Sequence, residues 1–147
     1  MTLVLDTNIV LDLWVFRDPR VAALQAALAS GEMTWLATPA MREELACVLS
    51  YGQIGARLER ACVSAQQVLQ AFDAHAKLVE SPPVAPLKCR DPDDQKFVDL
   101  AVAQGAMLLS KDRELLALRR RLPVANAFSA PAAQPRSGPG EPAASTP

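Results

Sequence analysis

A chain of 147 residues, half of them hydrophobic, can close one core, and its length argues for a single domain. A net charge of −1 excludes the strongly basic footprint of a protein that holds nucleic acid by charge alone, so any polyanion must be held locally or through a metal. The three cysteines, Cys47, Cys62 and Cys89, are odd in number and lack the CxxC pairing of a zinc site or a disulfide framework, which suits core packing in a reducing cytosol.

Leu3-Val4-Leu5 is a short apolar run of strand type, ended by Asp6-Thr7-Asn8 before Ile9 to Trp14 continues apolar. Asp18-Pro19 supplies an N-cap side chain and a proline at the first helical position, and that helix runs to about Ser30 and stops at Gly31. Met33 to Ala37 reads as a second strand, and Thr38-Pro39 repeats the cap-plus-proline signal for a helix to about Leu49. Two glycines within Tyr51 to Gly55 mark a break, followed by helices at Arg57 to Cys62 and Ser64 to Ala76 and a third strand at Lys77 to Glu80.

Ser81 to Arg90 holds Pro82, Pro83 and Pro86 and is a loop, since each proline removes a backbone donor and pushes its predecessor toward extended geometry. Asp91-Pro92 then opens a helix to about Gln104 that Gly105 ends; Met107 to Leu109 is a strand, and Lys111 to Arg121 a final helix before Leu122 to Ala125. This alternation predicts an α/β fold with a parallel sheet and helices on both faces. The expected domain is 1–128. Residues 129–147, with five prolines and two glycines, cannot bury enough apolar surface to order and are expected to form a disordered tail. Asp6 and Asp12 interrupt the first apolar stretch, and no run reaches the roughly 18 to 20 apolar residues of a membrane-spanning helix, so a cytoplasmic protein with no membrane association is expected.

Four acids, Asp6, Glu44, Asp94 and Asp112, fall where an element begins or shows its inner face. Asp6 ends the first strand, where open α/β sheets bind ligands. Successive helical residues turn by about 100°, so Glu44 borders the stripe of Met41, Leu45, Val48 and Leu49 while Glu43 points away. Asp94 lies three, four, seven and eight residues before Phe97, Val98, Ala101 and Val102, within their stripe, whereas Asp99 falls off it and is solvated or paired. Asp91 is the N-cap and Asp93 a first-turn charge. Competing readings stand beside each site role: Asp94 has the spacing of a capping-box acid, Asp112 that of a cap for the final helix, and Asp6 that of a turn residue.

Clustered carboxylates repel and persist at neutral pH only with a cation or proton shifts, and oxygen-only ligands suit Mg²⁺ or Mn²⁺ rather than zinc. Phosphodiester hydrolysis matches that chemistry. The sole histidine, His75, excludes a paired-histidine ribonuclease and reads as helix surface or packing; no GxGxxG, P-loop, GxSxG, zinc or EF-hand motif appears.

Leu3-Val4-Leu5-Asp6-Thr7-Asn8, Glu43-Glu44-Leu45, Asp91-Pro92-Asp93-Asp94 before Lys96-Phe97, and Leu108-Leu109-Ser110-Lys111-Asp112 together resemble the PIN-domain family, and within it the PIN-type toxin components of bacterial toxin–antitoxin systems. The resemblance runs from Leu3 to about Phe128. It implies a three-layer α/β/α sandwich, a metal-dependent endoribonuclease acting on RNA, and a site in which Asp6, Glu44, Asp94 and Asp112 match the Mg²⁺ (or Mn²⁺) positions. Asn8 and Ser110 would orient a carboxylate, water or phosphate by hydrogen bonds. An antitoxin protein partner and a homodimer are further implications. Two alternatives share the same residues: a non-catalytic PIN-like module binding RNA or protein, which the near-neutral charge favours, and a metal-dependent nucleotide phosphatase. RNA affinity has few visible sources beyond Arg17, Arg20, Arg42, Lys111, Arg113 and Arg119-Arg120-Arg121, and the last three also suit a helix C-terminus electrostatically.

Overall fold

A computed structural model describes residues 1–118, 120 and 124–126. Its five strands are β1 (Thr2–Leu5), β2 (Thr34–Ala37), β3 (Ala76–Leu78), β4 (Met107–Ser110) and β5 (Val124–Asn126). They form one sheet in the order β3-β2-β1-β4-β5, parallel throughout. β1 is central, and Leu3, Val4 and Leu5 are buried, as expected of a parallel strand covered on both faces. Around it pack α1 (Thr7–Trp14), α2 (Ala22–Ser30), α3 (Pro39–Leu49), α4 (Gly52–Ala61), α5 (Ala65–His75), α6 (Gln95–Gln104) and the four-residue α7 (Arg113–Leu116), giving an α/β/α sandwich.

The cap-plus-proline signals mark real starts, though two of them open through a 3-10 turn, Pro19–Val21 before α2 and Pro92–Asp94 before α6. Thr38 caps α3, and Gly31 and Gly105 stop α2 and α6 in left-handed geometry, φ 81° and 59°. Several expectations are corrected. Ile9 to Trp14 belongs to α1; Ile9 through Leu13 are all buried, Asp12 included, so this run has no exposed polar side to reveal a helical period. The break at Tyr51 to Gly55 is shorter, because Gly52 and Gly55 lie inside α4, where a glycine costs only about 1 kcal/mol. The helix expected over 111–121 shrinks to α7, and β5 follows it unanticipated; Arg119, Arg121 and the 129–147 tail lie outside the described residues. Val102 is exposed rather than on the buried stripe of α6, and Cys47 and Cys62 are exposed free thiols rather than core residues, Cys89 being half-buried.

Trp14 stacks on Trp35 at 5.6 Å, and Phe72 meets Trp35 edge-on at 4.9 Å, tying α1 and α5 to β2. His75 belongs to this packing, its ring 5.3 Å from Trp14 and its Nδ1 2.8 Å from the Ala71 carbonyl oxygen. Among the described residues no helix is long and apolar enough to cross a membrane.

Candidate active site

From β1 the chain moves outward to β2 and β3 on one side, then returns to β4 and β5 on the other. The segments leaving the carboxyl ends of β1 and β4 therefore face each other at the switch in strand order, the crevice in which open parallel sheets bind ligands. Leu5 is in register with Leu109, which sets Asp6 beside Ser110.

Asp6 caps α1 through Oδ1, which accepts the Ile9 amide at 3.0 Å, while Oδ2 accepts the Ser110 hydroxyl. Its backbone amide donates to the Leu109 carbonyl at 3.3 Å. The turn reading and the site reading of Asp6 are thus one arrangement: capping fixes the carboxylate at the strand end. Burial pushes its carboxyl up to about 6, against the pull of the Ser110 and Ile9 hydrogen bonds and with the help of the Asp112 and Asp12 charges.

Ser110 is fully buried and joins two acids, since its oxygen also accepts the Asp112 amide at 2.9 Å. Asp112 caps α7 through the Glu114 amide at 2.8 Å and borders the cleft as well. Asp94 ends the 3-10 turn that Asp91 opens by accepting the Asp93 amide at 2.9 Å; the Asp94 carboxylate caps nothing, which removes the capping-box reading. Burial, then the charges of Asp112, Asp91, Asp6 and Glu44, hold its carboxyl up at about 7. Glu44 is half-buried on α3 and Glu43 exposed. One Glu44 oxygen accepts the Thr7 hydroxyl and the other pairs with the Lys96 ammonium.

All four acids line one cleft of about 140 Å³, with Thr7, Asn8, Val48 and Phe97 completing its wall. Roomier grooves elsewhere, such as one of about 460 Å³ between Trp14, Arg17 and Val63, hold no comparable group of acids. Among the described residues no three acid, histidine or cysteine side chains are already drawn together as a ligand cluster, so the carboxylates border the cleft as separate groups. The donor set nonetheless fits a hard divalent cation: every candidate ligand is an oxygen, and burial followed by neighbouring carboxylate charge raises the carboxyls of Asp6 and Asp94, a penalty that a cation would relieve.

Asn8 stands exposed on the rim. Thr7 and Lys96 contact Glu44 without having been singled out in the sequence; both lie inside the quoted motifs, one beside Asp6 and the other two residues after Asp94. Asp12, buried on α1, pairs with Lys111 at 2.7 Å and so anchors the residue between Ser110 and Asp112. Asp99, off the apolar stripe by phasing, is buried and paired, accepting from the Ala85 amide at 2.8 Å and from Gln95 at 2.9 Å.

A PIN domain family profile matches residues 2–114. Among solved structures, a chain of VapBC2 from Rickettsia felis, crystallised bound to a DNA fragment from their promoter, superposes with a TM-score of 0.60 at 16% identity, covering 86% of this chain and 98% of that one. At that identity the likeness speaks for the fold. No curated protein matches the chain.

Proposed function

The chain belongs to the PIN-domain family, and from that premise we propose that it is a metal-dependent endoribonuclease, the toxin component of a cytoplasmic toxin–antitoxin system. One observation carries the reading: acids from the end of β1, the face of α3, the turn before α6 and the end of β4 meet on a single cleft at the switch point of the sheet. Asp6 and Asp94 would be the principal ligands of Mg²⁺ or Mn²⁺, with Glu44 and Asp112 ligating directly or through water. A cation held there would lower the pKa of a water and offset charge on the phosphate. Ser110 holds Asp6 and the Asp112 amide in place, and Val48 and Phe97 give the cleft a dry wall.

RNA rather than a free nucleotide is favoured by a second groove, of about 790 Å³, whose walls include Lys88, Arg90 and Arg113. Arg113 follows Asp112 directly, so the cations of this groove, Arg90 pairing with Glu114 of the same wall at 3.7 Å, begin beside an acid of the cleft. An antitoxin protein that covers the cleft belongs to the same reading, supported by the likeness to a VapBC2 chain; a homodimer is part of the proposal as well.

The test is cleavage of single-stranded RNA in Mg²⁺ or Mn²⁺, with DNA of the same sequence and nucleoside monophosphates as competing substrates. Asp6→Asn and Asp94→Asn are each expected to lower the rate by about a hundredfold or more. Unchanged RNA cleavage by both variants overturns the proposal, and turnover of monophosphates alone points to a phosphatase.

A further inference from the structure

Lys96 sits in the first turn of α6, where the positive end of the helix dipole disfavours a cation. Its ammonium nevertheless turns back to the border of the acidic cleft, pairing with Glu44 Oε1, donating to the Asp93 carbonyl oxygen and lying 5.3 Å from the Phe97 ring. Only about a quarter of either side chain in the pair is exposed, 27% and 26%. With Thr7 on Oε2, both oxygens of Glu44 are taken. A positive charge thus stands at the edge of a cleft bordered by four carboxylates, on a flexible stem that lets it move when a stronger cation arrives.

Building on the nuclease reading, we propose that Lys96 is the phosphate-binding residue of this cleft: it rests on Glu44 until a divalent cation takes that carboxylate, then turns to a non-bridging oxygen of the RNA phosphate. A lysine suits this exchange, because a compact ammonium contacts a carboxylate or a phosphate oxygen as a point charge and needs no forked partner. Tighter metal binding without Lys96 would follow from any ion pair at Glu44, so the loss of RNA affinity is what separates a phosphate ligand from a purely structural pair. Removing Lys96 frees Glu44 for the metal while weakening the hold on phosphate.

The experiment compares the full chain with Lys96→Met and Lys96→Arg, each checked for native far-UV circular dichroism. Titration with Mn²⁺ alone, followed by the electron paramagnetic resonance of the free ion, is expected to show Lys96→Met binding about two- to fivefold tighter than wild type. Binding of a fluorescein-labelled single-stranded RNA in Ca²⁺ is expected to weaken about tenfold in Lys96→Met and to recover partly in Lys96→Arg. The cleavage rate at saturating Mn²⁺ should fall in the same order. Unaltered or weaker Mn²⁺ binding by Lys96→Met overturns the proposal, as does an RNA affinity equal to that of wild type. If wild type cleaves no RNA yet both binding differences appear, the nuclease reading fails and the assignment of Lys96 stands.

Discussion

Asp94 departs furthest from an ordinary carboxylate. Its carboxyl is held at about 7 and that of Asp6 at about 6, from a usual value of 3.8. Between pH 4 and 7 the folded chain therefore retains protons that the unfolded chain releases, and metal-free stability falls as pH rises through that window. Above it the penalty is fully present. Asp94→Asn removes the charge and breaks no cap. Without metal at pH 7.5 this variant should melt a few degrees above wild type, corresponding to about 1 kcal/mol once solvent screening of its half-open position is discounted. Near pH 4 the gap should close. Scanning calorimetry in EDTA decides the matter, and a lower melting temperature at pH 7.5 would show that the carboxylate stabilises the fold. Helical phasing was enough to separate Glu44 from Glu43 and to set Asp94 apart from Asp91. It could not find the Lys96 contact, which spans α3 and α6 and exists only once the two helices are packed. For Asp112, capping and lining the cleft were read as rivals, yet one residue does both.

Elements were legible where their ends carry chemistry. Asp18, Thr38 and Asp91 each precede a proline, and Gly31 and Gly105 adopt the left-handed geometry their positions suggested. α1 was not legible, because its run from Ile9 to Leu13 is wholly buried and shows no exposed polar period, nor was β5, whose three residues are too few to form a pattern. Gly55 and Gly105 give opposite expectations from the same substitution. A methyl group at either meets nothing within 4 Å, so space does not distinguish them. Gly55 lies within α4, and Gly55→Ala should stabilise by about 0.5–1 kcal/mol. Gly105 has φ 59°, and Gly105→Ala should destabilise by about 1 kcal/mol. Urea denaturation of both variants checks the signs; a stabilising Gly105→Ala would mean that the end of α6 is not held left-handed in solution.

For the molecule as a whole, alternating strand and helix signals disclosed the parallel sheet, but strand order is a property of pairing that no single segment encodes. That order gathers the acids from the end of β1, α3, the turn before α6 and the end of β4. A cation using them binds the folded chain alone, adding about 2.7 kcal/mol at roughly 100 times its dissociation constant. Mn²⁺ should accordingly raise the melting temperature of wild type and do so far less for Asp94→Asn, as read by calorimetry; equal responses would place the ion elsewhere. The pairing of β1 with β4 also sets a timetable. β1 is made first, whereas Ser110 and Asp112 emerge after nearly all of the described chain has been synthesised. Until that late strand docks beside the first, Asp6 lacks its Ser110 hydrogen bond and the cleft lacks a wall, so a growing chain on the ribosome carries the acids without the site.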